Sequence, residues 1–191
     1  MSDPSSDNTK LPDPVEANSF SSGLLRGFIG TAKTVLFRPR TFFPTMPVEG
    51  GLLGPYVFFL LCTSIFFGVT LGVNMVAAGG FDYRILPMLL VALCMPFVSS
   101  GIIFFVLTRV FNTTGSYEAS FRVVCYASAV NLLAWIPLVG FIGQFYEIYL
   151  STLGLAIVHR TTMLRALVAV VATALAVFLA VIYFAELLMA F

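Results

Sequence analysis

The sequence predicts an all-α fold: a polytopic membrane bundle of five transmembrane helices, the third and fourth a tight hairpin, preceded by an amphipathic interfacial helix. Three observations carry this. Apolar residues make up 59% of the chain and charged residues only 10%. Mean hydropathy is +0.99. The apolar sequence from residue 52 onward is interrupted only by short polar or Gly/Pro-containing breaks, and nearly every basic residue falls on alternate breaks. Soluble domains carry about 25% charged residues, and a soluble core of this length could not hide so much apolar surface. The 20 Phe and 7 Met suit a lipid-facing surface, where such side chains need no hydrogen-bond partner. A net charge of +1 gives no electrostatic footprint for nucleic acid.

Residues 1–19 (MSDPSSDNTKLPDPVEANS) are rich in Ser, Pro, Asp and Asn and contain no apolar run that could pack, so they read as a disordered polar tail. A basic start followed by an apolar stretch is missing, which argues against a signal peptide. Over 20–51 the pattern changes to an amphipathic segment and linker. Phe20, Leu24, Leu25, Phe28, Ile29, Ala32, Val35 and Leu36 recur at three- and four-residue intervals, with Ser21, Ser22, Arg26 and Lys33 between them. Such a helix, followed by Arg38-Pro39-Arg40-Thr41-Phe42-Phe43, either lies along the membrane surface with its basic groups near lipid phosphates or packs on the bundle; both need the same apolar stripe.

Pro44, Pro47, Gly50 and Gly51 break that helix and deliver the chain to the membrane domain, 52–191. The first span, Leu52 to Ala78, is long enough to cross with some tilt. A tight loop, Gly79 to Arg84, leads to a second span from Leu86 to Phe111, with Pro96 and Gly101 as kinks that neighbouring helices can tolerate. A polar loop covers Asn112 to Ser120. Between 121 and 158 the one strong break is Ile136-Pro137-Leu138-Val139-Gly140, which leaves two apolar arms at the short limit for a spanning helix. They form either a third and a fourth span, with Trp135 at the far interface, or a re-entrant hairpin; both choices return the chain to the same side. The last span runs from Leu164 to Leu188.

With this arrangement Arg26, Lys33, Arg38, Arg40, Arg109, Arg122, Arg160 and Arg165 all fall on the N-terminal side, against Arg84 alone on the other. Cytoplasmic flanks are enriched in Lys and Arg, so the N-terminus is expected in the cytoplasm and the C-terminus on the exterior or luminal side. The basic face is then the place to meet anionic lipid headgroups. An Asn112-Thr113-Thr114 sequon on that face should stay unglycosylated in any secretory system.

Glu147 is the anomaly within the apolar stretches, since a carboxylate inside a span is costly and marks a functional candidate. A hairpin turning near Val139 sets it level with Asn131, and a hydrogen bond between the two would satisfy both. Gly143, Glu147, Ser151 and Gly154 share one face, a stripe suited to close helix contact, while Gln144, Tyr146 and Tyr149 add polar groups around it. The cluster Asn131, Gln144, Glu147 and Ser151 is therefore an ion, proton or polar-ligand site, or a polar clasp fixing helix register. The clasp is preferred, because no second acidic residue lies nearby to build a relay. Small-residue stripes Ser64/Gly68/Gly72 and Ala172/Ala176/Ala180 serve packing within one chain as readily as homo-oligomers.

Cys62, Cys94 and Cys125 sit apart in apolar stretches and read as buried free thiols. No His-Glu-x-x-His, paired intramembrane Asp or Gly-rich phosphate loop is found in the sequence, so neither a metal, a cofactor nor catalysis is expected. The lone His159, about 12 Å along one helix from Ser151, is too far from it for a nucleophile and base. It is expected to meet lipid headgroups or the last helix carbonyls together with Arg160 and Arg165.

The ordered features resemble the Yip family of five-span membrane proteins, the Ypt/Rab-interacting proteins and their prokaryotic relatives. Leu36-Phe37-Arg38-Pro39-Arg40-Thr41-Phe42-Phe43 precedes the first span, Leu53-Gly54-Pro55 is similar to the family's Leu-x-Gly-Pro, Gly115-Ser116-Tyr117 with Phe121 and Tyr126-Ala127 opens the third span, and the basic turn His159 to Arg165 leads into the last. The resemblance implies a cytoplasmic N-terminus, and in eukaryotic members Rab-type GTPase partners. The short tail and compact loops are more similar to the prokaryotic branch, to which neither the GTPase partnership nor any catalytic residue carries over. The expected function is a non-enzymatic membrane protein that organises membrane or recruits partners, such as other membrane proteins, from its cytoplasmic face. The alternative is a small oligomeric transporter or channel with its polar site at Glu147 and Asn131.

Overall fold

The computed structural model describes the backbone over residues 14–78 and 85–189, and side chains over 26–77, 86–180 and 182. The chain divides into two compact units, Met1–Thr31 and Ala32–Phe191. In the first, helix α1 (Pro14–Phe37) begins, so residues 14–19 of the expected polar tail are helical; Pro14 suits a helix start, where its missing N–H has no partner to lose. Residues 1–13 and the Gly79 to Arg84 loop lie outside the described residues.

The second unit is a helical bundle. Four of its helices are long and apolar enough to cross a membrane: Leu53–Ala77, Leu86–Val110, Pro137–Val158 and Met163–Ala180. They belong to α3 (Leu53–Ala78), α4 (Ile85–Phe105) with a π turn at Val106–Val110, α6 (Pro137–Val158) and α7 (Met163–Met189). Before them lies α2 (Pro39–Thr45), and between α4 and α6 lies α5 (Tyr117–Ala127) followed by a 3-10 turn at Ser128–Leu132.

The arm expected as a third spanning helix is a composite. The Ser128 hydroxyl donates to the Cys125 carbonyl at 2.7 Å, and beyond it the backbone tightens to three-residue bonds, Leu133 N–H to the Val130 carbonyl and Ala134 N–H to that of Asn131. Short polar side chains that bond the local backbone end helices in this way. Pro137 then requires an extended Ile136 (φ −87°, ψ 113°). The 11 residues of α5 rise about 16 Å and the 5 of the turn about 10 Å, which approaches the hydrocarbon thickness of about 30 Å.

Small residues bring the hairpin arms together. A Cβ on Gly143 would lie 2.8 Å from Val130 Cγ1, and one on Gly154 would lie 2.6 Å from Val123 Cγ1 and 2.8 Å from Phe43 Cε1. The predicted stripe thus packs within one chain, α5 on one flank and α2 on the other. Lipid supplies no hydrophobic drive between helices, so such close van der Waals approach is what holds them. At the start of α3 aromatic rings pack between helices: Tyr56 stands against buried Phe59, Phe121 and Cys125, and the outer Phe97 ring lies 5.0 Å from Tyr56 and 4.8 Å from Phe121. Pro96 lies inside α4 as expected. Near it, the Tyr56 hydroxyl donates to the Leu93 carbonyl (3.2 Å) and the Tyr117 hydroxyl to the Phe97 carbonyl (3.3 Å).

For the chain from Ala32 onward, the end of α1 packs on the bundle. Ala32, Val35, Phe43 and Met46 are buried, while Lys33 and Phe37 face outward. Tyr146 donates its hydroxyl to the Leu36 carbonyl. Tyr146 lies twelve residues before the end of α6, roughly 18 Å along its axis, so the α1–α2 corner docks against the middle of α6.

Candidate functional site

Where α3, α4, the composite arm and α6 meet, a cavity of about 320 Å³ remains open, and both Asn131 and Glu147 line it. The equal depth read from the sequence is what brings them together, although the direct hydrogen bond expected between them is not formed among the described residues. Three hydroxyl residues complete the polar lining: Thr63 from α3, Ser99 from α4 and Ser128 from the 3-10 turn. Thr63 is 3% exposed, and its Oγ1 has no hydrogen-bond partner. Buried hydroxyls are nearly always bonded. Around these groups stand the rings of Phe59, Phe66 and Phe67 and the Met95 side chain.

Pro96 also lines the cavity, as does Ala92, four residues before it. Proline has no N–H to return to the carbonyl four residues back, so the helix lacks that one internal bond beside the cavity. Two members of the expected cluster are elsewhere: Gln144 is exposed and Ser151 is buried on the packing stripe. Neither lines the cavity. Thr63, Ser99 and Ala92 were not anticipated. They lie on other helices, and Pro96, which had been read only as a kink, was their one signal.

A second polar region sits at the other end of α5, and its groups are paired. Arg122, expected on the exposed basic face, is buried at 4% exposure. Its guanidinium meets Glu118 Oε1 at 2.9 Å and donates to the Gly51 carbonyl at 2.8 Å, while the Gly51 N–H donates to the same Glu118 oxygen at 2.7 Å. Gly50 and Gly51 have φ of 121° and 90°, the left-handed region that glycine enters without strain. Sequence reasoning misassigned Arg122 because a cation counted for topology says nothing about a partner four residues back on its own helix.

His159 is corrected likewise. It is 1% exposed and meets no headgroup: Ser120 Oγ lies 2.7 Å from Nε2 and Thr113 Oγ1 3.2 Å from Nδ1, with Gly115 packed so closely on the ring that a Cβ there would overlap it. A neutral imidazole, donating from one nitrogen and accepting at the other, meets both bonds. Burial lowers its pKa from the ordinary 6.5 to about 4. The hydroxyl-rich run from Thr113 to Ser120, 39 residues away at its nearer end, was the sequence signal for this contact. The pair has a nucleophile-to-base distance, but Ser120 is 0% exposed and Nδ1 faces a hydroxyl where a triad would place a carboxylate. It is a clamp joining loop, α5 and α6.

The other basic residues, Arg26, Lys33, Arg38, Arg40, Arg109, Arg160 and Arg165, are exposed. Arg165 lies 5.9 Å over the Phe111 ring, Arg40 interacts with Tyr149, and Arg160 adopts φ 49° at the α6–α7 turn. All three cysteines are free; Cys62 and Cys125 are buried, while Cys94 is exposed, contrary to the buried placement expected of it.

Long apolar helices with outward-facing Leu, Val, Ile and Phe side chains define an integral, multi-pass α-helical membrane protein. Residues 33–185 match the family model described as Yip1 domain. The chain belongs to the Yip family, and the matched region nearly coincides with the second compact unit. No curated protein and no solved structure gives a match.

Proposed function

We propose that the chain is a non-enzymatic Yip-type membrane protein that organises membrane or recruits partners from its cytoplasmic face, with its N-terminus in the cytoplasm. The observation that carries this reading is the α1–α2 corner. Lys33, Arg38 and Arg40 are exposed there, on a segment held by the Tyr146 bond to Leu36 and by Phe43 seated on Gly154. Long cationic side chains on a corner fixed against α6 can extend along the bundle to lipid phosphates or to an acidic partner. The basic flank bias supports the orientation, and the composite arm supports a fifth crossing. The double variant Arg38→Glu/Arg40→Glu, purified from native membranes, is expected to lose most of its co-purifying anionic lipid or cross-linked partner, counted by native mass spectrometry, with an unchanged melting temperature. Full retention of both would reject the reading.

The cavity favours a second reading, a small transporter or channel in a bacterial inner membrane with Glu147 and Asn131 on its path. In proteoliposomes Glu147→Gln should then abolish or re-tune a pH-dependent flux. A flux unchanged by the substitution removes the residue from any path.

A further inference from the structure

We infer that the cavity between α3, α4, the composite arm and α6 binds a small amphiphilic amine, one ammonium group on an apolar body. This deepens the second reading and rests on it for access to the cavity, but it requires binding only, not passage.

The polar part of the lining consists of acceptors and neutral groups. It includes Glu147, Asn131, Ser99 and Ser128 on an otherwise apolar wall, and it contains no Lys, Arg or His. An ammonium has three donors and no acceptor, so it can use several of these at once. An anion would face the carboxylate with no cation to hold it. A wholly apolar occupant would cover the half-buried Glu147 and Asn131 without matching them, at a cost of about 1–3 kcal/mol for each group so stranded. Hard metal cations need six or more oxygen ligands around a compact site, whereas here much of the wall is phenyl ring and thioether.

Those same rings suit the organic cation. Phe59, Phe66 and Phe67 offer faces that attract an ammonium within about 6 Å and apolar area for its body. A volume of about 320 Å³ stands at the lower end of small-molecule pockets, which run from about 300 to 1,000 Å³. Asn131 also lines this wall, and its amide oxygen is what a second ammonium donor would meet.

The test uses the full chain in phosphatidylglycerol nanodiscs, with radiolabelled 2-phenylethylamine and its uncharged analogue 2-phenylethanol as probes. Saturable amine binding is expected, at least tenfold tighter than that of the alcohol. Glu147→Gln should remove the preference, and Asn131→Leu should weaken amine binding several-fold without lowering the melting temperature. Absence of saturable binding, equal affinity for the two probes, or binding indifferent to both substitutions would overturn the proposal. Adding phosphatidylethanolamine to the nanodiscs distinguishes the sources: competition marks a lipid amine as the occupant, and unchanged affinity marks a free amine. Retained binding without flux would reject transport alone, while lost binding rejects this site.

Discussion

The two polar regions along α5 and its 3-10 continuation differ in how their groups are used. At the helix start, Glu118, Arg122, the Gly51 backbone, His159, Ser120 and Thr113 are joined in bonds of 2.7 to 3.2 Å. At its far end, Asn131, Glu147 and Thr63 surround open volume, and the Thr63 hydroxyl has no partner. Saturated buried polar groups fix a structure, because removing one partner strands the other. Unsaturated ones around a cavity contribute little to holding the fold and are free to hold something else. Substitutions in the first region should therefore act on stability, and those in the second on ligand.

The largest effect is expected from Arg122→Met, which leaves Glu118 and the Gly51 carbonyl without their cation. A loss of about 2–3 kcal/mol is expected in thermal or denaturant unfolding in detergent, and adding Glu118→Met should restore part of it. No loss on the single substitution would return Arg122 to the ordinary surface. Next comes Gly154→Val, whose Cβ meets Val123 and Phe43. Overpacking of this kind costs about 1–3 kcal/mol and should also loosen the α2 corner, seen as faster amide exchange over 39–45. A tolerated valine would mean that Phe43 is not seated as described.

A smaller effect, readable against pH, belongs to His159. Its folded pKa of about 4 lies below the ordinary 6.5, so the unfolded chain binds the extra proton between these values. The clamp's contribution is complete above about pH 6.5 and is lost progressively as pH falls toward 4. Wild-type melting temperature should drop across that window more steeply than that of His159→Gln, and parallel curves would show that the imidazole is not held neutral. The smallest change in stability is expected from Thr63→Val, within about 1 kcal/mol and toward stabilisation, since a buried hydroxyl without a partner is removed. A large destabilisation would place Thr63 with the saturated region.

Membrane class, the approximate helix limits and the level of Glu147 with Asn131 were legible because each follows from local quantities: apolar length, proline and glycine breaks, and the rise per residue. The Gly143 to Gly154 stripe was legible for the same reason, as three- and four-residue spacing is a property of one helix. Partner choice was not. Arg122 and His159 look like exposed basic groups in a linear reading, and only the folded chain brings them to Gly51, 71 residues away, and to Ser120 and Thr113, 39 and 46 residues away. The composite third arm escaped detection because the Ser128 bond that ends α5 competes with helical bonds of similar energy, and composition does not decide between them.

The residues alone therefore settle that this chain lives in a membrane and where a carboxylate interrupts its apolar stretches. Hydropathy and the length of an apolar run are properties of a segment, independent of its distant neighbours. Which polar groups would be matched and which left open was decided by the tertiary structure, because hydrogen bonds need partners within about 3 Å. That proximity exists only after four helices have packed around Pro96, Thr63, Asn131 and Glu147.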